Sequence, residues 1–429
     1  MRTINVGLIG LGTVGCGVVR ILQEHHDDFV RDQGIDLRLV AVASRTSREA
    51  INLGIEDIFS NDGANVINHP DVDIVIELVG GTSFAKDFVF AALEAGKSVV
   101  TANKALIAAA GHELMELAAR KGVEIAFESA VGGGIPIIGP LRHTLAGNRI
   151  LSVMGIVNGT TNYMLTRMSE GALDYDTALK EAQGKGFAEA DPTADVQGHD
   201  AAAKIAILAT IAFNTNVALA EVPAEGITEI CPTDLDYARE MGYAIKLLAI
   251  ANRLDDGIDI RVHPAMLPLS HPLASVNGVF NAIYVVGDAV GETMFFGEGA
   301  GSGPAASSVV GDLIEVGRHL AYRESITQPV WDTEGLPIRS IDELETSYYL
   351  RLPVPDKSGV LATTAQVFAE QGVSIYSMVQ RGTKDGKAEL IYVTHTAKES
   401  AVRATLEGIR ETGALTGAPV LIRVIDAEA

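Results

Sequence analysis

The chain has 429 residues, too many for one compact core, so we expect two or three domains. Its 33 basic and 55 acidic side chains give a net charge of −22, which argues against nucleic-acid partners because phosphates would be repelled. Two cysteines are too few for a disulfide framework or a cysteine-rich metal site. No apolar run reaches the roughly 20 residues that a membrane-spanning helix needs, so we expect a cytoplasmic protein without membrane contacts.

Residues 1–131 alternate short apolar runs with segments of helical spacing. The runs at 4–9, 37–43 and 74–79 are apolar at nearly every position, which is typical of buried parallel strands. Strands that alternate with helices predict an α/β fold in which a doubly wound parallel sheet forms a Rossmann-type domain.

A glycine-rich turn of the GxGxxG type leaves the first apolar run and opens a helix. Gly10 permits the tight turn, Gly12 lets the backbone approach a pyrophosphate, and Gly15 allows close helix packing. The amides of Thr13 and Val14 at the helix N-terminus suit phosphate oxygens. The turn therefore predicts a dinucleotide site.

The end of the second apolar run indicates which dinucleotide is bound. Ser44, Arg45 and Thr46 stand where an acidic residue would accept the ribose hydroxyls of NAD. These side chains could instead hold a 2′-phosphate, which favours NADP. NAD remains possible, because Arg45 could also be a solvated loop residue.

Residues 132–327 have a different rhythm. Helical spacing at 136–145, 160–170, 174–184 and 199–213 is interleaved with strand-like runs, which predicts an α+β domain for substrate binding and dimerisation. A long helix at 304–322 could return to pack on the first domain. The proline- and charge-containing stretch 328–347 is predicted to be a linker.

Asp200 and Lys204 are four residues apart, on one face of a helix that is otherwise apolar almost all round. Such a pair is often a surface ion pair. Because unpaired buried charge is costly, their apolar surroundings favour a polar cavity instead. A lysine in such a place suits proton donation.

Two further segments carry charges at places suited to a site. The acidic loop that begins at Gly186 and contains Glu189 leads into the Asp200 helix, and it could capture an ammonium group or simply be solvated. Lys104 follows an apolar run, at the carboxyl end of a predicted parallel strand, where open α/β sheets bind ligands. It could reach both cofactor and substrate, or point into solvent.

Along essentially its whole length the chain resembles the homoserine dehydrogenases. The resemblance rests on the glycine turn at 10–15, Thr101-Ala102-Asn103-Lys104, the segment 128–136 (Glu-Ser-Ala-Val-Gly-Gly-Gly-Ile-Pro), Asn158-Gly159-Thr160-Thr161-Asn162, the segments 186–192 and 198–204, and Gly299-Ala300-Gly301. With no aspartate kinase segment before the glycine turn, a monofunctional enzyme is expected.

The resemblance implies reduction of L-aspartate 4-semialdehyde to L-homoserine, in threonine, methionine and isoleucine biosynthesis. It implies that Lys204 donates the proton, that Asp200 and Glu189 hold the substrate, and that Lys104 bridges nicotinamide and substrate. This agrees with the reading from the residues, because a nearby ammonium stabilises and then neutralises a developing alkoxide. Gly186 and Gly301 join the implied cofactor contacts.

The resemblance also implies a monovalent cation, sodium or potassium. Its ligands would be backbone oxygens of Glu128, Val131, Gly133 and Ile135. A glycine-rich turn is a fair place for carbonyl groups to converge, although the same segment could simply be an interdomain hinge.

Residues 348–429 show a βαββαβ order and resemble an ACT domain. The loop 356–361 stands where such domains bind amino acids, with Ser358 in place of the usual proline. L-threonine is the expected effector, and a purely structural module is the alternative. The resemblance further implies a homodimer or homotetramer assembled through the middle domain.

Two other functions fit parts of the chain. The segment 92–99 is reminiscent of sugar-type NAD(P) oxidoreductases, although Ala102-Asn103-Lys104 departs from the Glu-Lys-Pro that usually follows there. A non-catalytic sensor of nucleotide or amino acid would explain the C-terminal domain. The charged set of Asp200, Lys204 and Lys104 argues against a loss of catalysis.

Overall fold

The computed structural model describes residues 2–322, 334–382 and 386–425. The chain forms two compact units, and several segments contribute to each. Unit 1 consists of residues 1–153, 203–221 and 280–336, and unit 2 of residues 154–202, 222–279 and 337–429.

The first part of unit 1 alternates strands and helices. The strands are β1 (Thr3–Ile9), β2 (Asp36–Ala43), β3 (Phe59–Ser60), β4 (Ile74–Glu77), β5 (Ser98–Thr101) and β6 (Ile125–Ala126). The helices are α1 (Thr13–Glu24), α2 (His26–Asp28), α3 (Arg48–Asn52), α4 (Gly63–Ile67), α5 (Phe84–Glu94) and α6 (Lys104–Lys121). All six strands are parallel, in the order β3-β2-β1-β4-β5-β6. The predicted Rossmann-type sheet is confirmed.

The remaining elements follow in chain order. The helices are α7 (Gly159–Gly171), α8 (Tyr175–Gly184), α9 (Thr193–Val196), α10 (His199–Phe213), α11 (Pro232–Glu240), α12 (Ser302–Tyr322), α13 (Val360–Glu370) and α14 (Glu399–Glu411). The strands are β7 (Ile150–Ile156), β8 (Tyr243–Leu254), β9 (Gly257–Pro268), β10 (Phe280–Gly287), β11 (Gly291–Glu298), β12 (Glu345–Pro355), β13 (Ile375–Gly382), β14 (Lys387–Thr394), β15 (Ala397–Lys398) and β16 (Val420–Val424).

Helix α12 packs on the Rossmann-type part of unit 1. Its apolar side chains, among them Val309 and Leu313, join the same core as Val6 and Leu8 of β1. The approach to α1 is so close that a Cβ on Gly17 would lie 2.8 Å from the carbonyl oxygen of Ser302. Within the described ranges, no helix has the length and apolar character needed to cross a membrane.

In unit 2 the C-terminal residues extend a sheet begun by the middle of the chain. The hairpin of β8 and β9 is antiparallel, and β16 then pairs in parallel with β9, placing Arg423 opposite Ala265. Strands β12, β14 and β13 follow β16 in antiparallel order. The order β12-α13-β13-β14-α14-β16 confirms the predicted ACT-type fold, whereas its continuity with β9 was not predicted.

Two predicted segments differ from the structure. The helix predicted at 136–145 is present but shorter, since the backbone is helical over residues 138–144, and Pro140–Thr144 within it form a π-helical turn. The carboxylate of Glu128 accepts from the amides of residues 137–139, which have no acceptor within the helix, and so caps its N-terminus. In the stretch 328–347, Ile338 pairs with Ile258 and β12 has begun at Glu345, while residues 323–333 lie outside the described ranges.

Candidate active site

The glycine turn has the geometry of a dinucleotide cradle. Gly10 has φ +110°, and a Cβ there would lie 2.7 Å from the backbone of Leu78. A Cβ on Gly15 would collide with the carbonyl oxygen of Gly10. Gly12, by contrast, faces open space, and no side chain caps the N-terminus of α1. The first and third glycines close the turn. The second leaves room for a pyrophosphate beside Thr13 and the backbone amides at the N-terminus of α1.

Arg45 lies beside this cradle. The amide of Gly10 donates to the carbonyl oxygen of Ala43 at 2.8 Å, which joins the glycine turn to the end of β2. Arg45 follows that end and is exposed. A cation placed there suits the 2′-phosphate of NADP better than the ribose hydroxyls of NAD.

Glu77, which the sequence analysis passed over, organises the carboxyl ends of β4 and β5. Its side chain is fully buried and accepts hydrogen bonds from the amides of Val79 (2.7 Å) and Gly80 (3.0 Å). The hydroxyl of Thr101 (2.7 Å) and the amide nitrogen of Asn103 (3.5 Å) also donate to it. The available signal was an acid at the end of an otherwise apolar strand, where open α/β sheets bind ligands.

Lys104 begins α6, directly after β5, as the sequence predicts. Asn103 caps the helix, since its Oδ1 accepts from the amide of Leu106 at 3.1 Å. Its Nδ2 donates to the carbonyl oxygen of Gly81 at 2.7 Å. The half-buried Lys104 is therefore attached to a rigid frame formed by Glu77, Thr101 and Asn103.

In unit 2 the side chain of Asn158 brings two carboxylates together. Its Nδ2 donates to Asp195 at 2.7 Å and to Asp200 at 2.9 Å, while its Oδ1 caps α7 through the amide of Thr161. Asn158 is 5% exposed and Asp200 is 9% exposed. Asp200 is buried and Asp195 is half-buried, and two carboxylates gathered by one amide suit an ammonium group.

Glu189 lies in the exposed loop that follows α8. The hydroxyl of Thr160 donates to the carbonyl oxygen of Phe187 at 2.5 Å, and Gln183 donates to that of Glu189 at 3.0 Å. These contacts attach the loop to α7 and α8 of the same unit. Gly186, with a left-handed backbone, starts the turn that presents Glu189.

Lys204 is 8% exposed on α10, one turn after Asp200. The residues around it on the helix, including Ala203 and Ile205, are buried, so the predicted apolar surroundings are confirmed. Further along, α10 and α6 line one cavity of about 220 Å³ in unit 1, between Ile107 and Thr210 among others. The helices that carry Lys204 and Lys104 are therefore neighbours.

The segment predicted to hold a cation is a turn of unusual backbone geometry. Gly132 and Gly133 have positive φ, and the amide of Ile135 donates to the carbonyl oxygen of Gly132 at 2.9 Å. Because the carboxylate of Glu128 is taken up by backbone amides, only its carbonyl oxygen fits the predicted ligand set. Among the described residues no group of three or more histidines, cysteines and acids forms a side-chain metal site.

Gly301 belongs to the cofactor side of unit 1. It has φ +124° and precedes α12, whose Ser302 donates to the carbonyl oxygen of Thr13 at 2.7 Å. The loop at Gly301 therefore lies beside the glycine turn.

Family comparisons agree with this geometry. A family model described as homoserine dehydrogenase matches residues 136–314, and one described as its NAD binding domain matches residues 10–128. An ACT domain model matches residues 348–412. A homoserine dehydrogenase from Corynebacterium glutamicum is 46% identical over 413 residues, covering 94% of this chain and 92% of the relative.

The chain belongs to the homoserine dehydrogenase family. A homoserine dehydrogenase from Synechocystis is 43% identical and covers 99% of this chain and 100% of the relative. The crystal structure of a homoserine dehydrogenase from Thiobacillus denitrificans has a TM-score of 0.94 at 41% identity, over 99% of both chains. A hyperthermophilic archaeal homoserine dehydrogenase in complex with NADPH has a TM-score of 0.63 at 29% identity, over 73% of this chain and 98% of that one.

These matches confirm the expected family and the class of enzyme, an NAD(P)-dependent oxidoreductase. The alternatives of a sugar-type oxidoreductase and a non-catalytic sensor are thereby displaced. The roles of the individual site residues stay predictions.

Proposed function

We propose that the enzyme reduces L-aspartate 4-semialdehyde to L-homoserine with NADPH, and that Lys204 is the proton donor. The observation that carries this proposal is the burial of Lys204 and Asp200 one turn apart on an apolar helix. The product would feed threonine, methionine and isoleucine biosynthesis.

The chemistry divides between cofactor and protein. When bound, the nicotinamide supplies a hydride to the aldehyde carbon. The aldehyde oxygen gains negative charge as the hydride arrives, and the Lys204 ammonium stabilises that charge and transfers its proton to the oxygen. Asp200 and Glu189 hold the substrate, Glu189 through the substrate's ammonium group. Lys104 orients the substrate against the nicotinamide.

The residues that would hold the cofactor are Gly10, Gly12, Thr13, Val14, Gly15, Arg45, Lys104, Gly186 and Gly301. The open space at Gly12 and the exposed Arg45 support this assignment. Arg45 favours NADP as cofactor, with NAD as the weaker alternative.

We also propose that the enzyme binds a sodium or potassium ion. Carbonyl oxygens of Glu128, Val131, Gly133 and Ile135 would hold it, since hard cations prefer oxygen ligands. The turn at Gly132 and Gly133 supports this set, because positive φ values allow successive carbonyl groups to converge.

L-threonine is the proposed effector of the C-terminal module, which comprises residues 348–429. A cavity of about 270 Å³ lies at the loop predicted to bind it, lined by Asp356, Lys357, Ser358 and Gln380. The charged and hydroxyl groups of this lining are complementary to an amino acid. The cavity argues for a ligand rather than a purely structural module.

A homodimer or homotetramer through the middle domain is also proposed. On the β10–β11 hairpin, the side chains of Phe280, Met294 and Phe296 are exposed, and the two phenylalanine rings stack at 5.1 Å. Exposed apolar clusters of this kind support pairing with a second copy.

The reaction is tested by following NADPH and NADH oxidation with and without aspartate semialdehyde, and by identifying homoserine among the products. Semialdehyde-dependent oxidation that yields homoserine is expected, with NADPH the better cofactor. An absence of turnover with either cofactor would overturn the proposed reaction.

A further inference from the structure

Two ionic contacts attach the C-terminal module to the middle of unit 2. In the first, Arg423 of β16 donates to both oxygens of Glu225, at 2.7 and 2.9 Å. In the second, Arg351 of β12 donates to both oxygens of Asp234, at 2.7 and 3.1 Å. The arginine side chains are 1% and 11% exposed, and of the two acids Asp234 is fully buried while Glu225 is 37% exposed.

The Arg423 contact belongs to a neutral network of four charges. Glu399 of α14 accepts from Arg423 at 2.9 Å, and Arg403 donates to Glu399 at 2.8 Å and to Glu225 at 2.7 Å. Three of the four residues come from the C-terminal module, and Glu225 is the one that does not. Removing one member would leave an unbalanced charge beside the buried side chains of Arg423 and Glu399, which is unfavourable.

The backbone around Glu225 supports the turn between α9 and α10. The amide of Ile227 donates to the carbonyl oxygen of Val196 at 2.9 Å, and a Cβ on Gly226 would collide with that same oxygen. On the other side, a Cβ on Gly198 would lie 3.4 Å from the carbonyl oxygen of Glu225. The two segments are therefore packed backbone against backbone.

That turn carries the two carboxylates that Asn158 bridges. Asp195 lies just before Val196, and Asp200 lies two residues after Gly198. The turn lies between the two acids in the chain and so contributes to the separation at which the Asn158 side chain contacts both. A displacement of Glu225 would therefore change the positions of Asp195 and Asp200, of which Asp200 belongs to the proposed substrate site.

We propose that Glu225 is a positioning residue through which the C-terminal module sets the affinity for the ammonium-bearing substrate. By binding Arg423 and Arg403, Glu225 fixes the turn at Val196–Gly198 and hence the spacing of Asp195 and Asp200. The inference rests on the proposed function, since it takes Asp200 as part of the substrate site. The Arg351–Asp234 contact joins β12 to α11 and includes no residue of the turn, so it provides a matched control.

The test uses full-length enzyme with four variants, Glu225→Gln and Arg423→Met against Asp234→Asn and Arg351→Met. We measure KM for aspartate semialdehyde, KM for NADPH, kcat and Tm. Glu225→Gln and Arg423→Met are expected to raise KM for the semialdehyde about tenfold, with KM for NADPH within about twofold. The two control variants are expected to lower Tm while KM for both substrates stays within about twofold.

Equal KM for the semialdehyde in wild type and Glu225→Gln would overturn the positioning role, as would an equal rise in the controls. If Arg423→Met does not fold, Arg423→Lys keeps the charge and loses one of the paired hydrogen bonds, and an intermediate rise in KM is expected. A wild-type enzyme that does not turn over the semialdehyde would instead refute the proposed function, so the two failures are distinguishable.

Discussion

Asn158 donates from one amide nitrogen to two carboxylates, Asp195 and Asp200, which lie five residues apart in the chain. The amide also caps α7, so one side chain fixes a helix end and an acidic pair at once. The proposed substrate site therefore depends on a residue that carries no charge.

Replacing Asn158 tests this dependence. Asn158→Ala should lower the free energy of unfolding by about 1–2 kcal/mol through loss of the cap, and should raise KM for the semialdehyde because the acids repel each other. Asp174→Ala is the control, since Asp174 caps α8 through the amide of Thr177 at 2.8 Å and is exposed. It should lose a similar stability at unchanged KM. Urea unfolding and steady-state kinetics distinguish the two, and an unchanged KM in Asn158→Ala would contradict the assignment.

The contacts of Glu77 lead to a prediction about the binding of the cofactor. Glu77→Gln removes the charge that four donors share, so the turn after β4 and the start of α6 should loosen. We expect Kd for NADPH to rise about tenfold, the equivalent of roughly 1.4 kcal/mol, measured by titrating the cofactor's fluorescence.

Asp73 provides the control at the opposite end of the same strand. Its carboxylate accepts from the amide of Asn5 at 2.9 Å, outside the cofactor cradle. Asp73→Asn should affect stability and leave NADPH binding unchanged. Equal Kd values for wild type and Glu77→Gln would show that Glu77 has no part in the cofactor site.

We expect Arg45 to determine whether the enzyme prefers NADP or NAD. Arg45→Ala should reduce kcat/KM with NADPH about tenfold or more and leave kcat/KM with NADH nearly unchanged, because only NADP carries the 2′-phosphate. Arg31→Ala, an exposed arginine before β2, should change neither. A parallel loss with both cofactors would remove Arg45 from the phosphate site.

The burial of Lys246 in β8 leads to a prediction about how the free energy of unfolding depends on pH. Lys246 is 3% exposed and donates to Asn162, Asn277 and the carbonyl oxygen of Val276. Burial lowers its pKa to about 8 from the ordinary value of 10.5. Between those two values the unfolded chain binds the proton more readily than the folded one, so the contribution of Lys246 to the free energy of unfolding rises with pH.

Lys246→Met removes this dependence. The free energy of unfolding of the wild type, minus that of the variant, should grow by about 2 kcal/mol between pH 8 and pH 10 and stay constant below pH 8. Urea unfolding at a series of pH values measures the difference. A difference that is flat or falls across that range would contradict the burial of the ammonium.

Local patterns predicted those parts of the fold that depend on neighbouring residues. The apolar runs and the glycine turn at Gly10 established the Rossmann-type sheet, and the βαββαβ order established the C-terminal module. The parallel pairing of Arg423 with Ala265 joins residues about 160 positions apart, and no local pattern indicates such a partner. The carboxylate that caps the helix at 138–144 likewise belongs to Glu128, which lies outside the helical pattern.

The residues of the candidate site also fall into those that a local pattern predicts and those that it does not. Lys204 and Asp200 could be found because their helix is apolar and their spacing is helical. Glu77 and Asn158 were missed as functional residues because each acts through contacts with residues more than 20 positions away. Only folding reveals which loops a buried polar side chain connects.

The central claim, that Lys204 donates the proton, is tested most directly by Lys204→Ala. We would measure kcat for semialdehyde-dependent NADPH oxidation together with Kd for NADPH. The control is Lys180→Ala, since Lys180 of α8 is exposed. The account predicts a loss of about 10²–10⁴-fold in kcat for Lys204→Ala, with Kd for NADPH within about twofold and the control unaffected. A kcat that stays close to the wild-type value in a variant that still binds NADPH would contradict it.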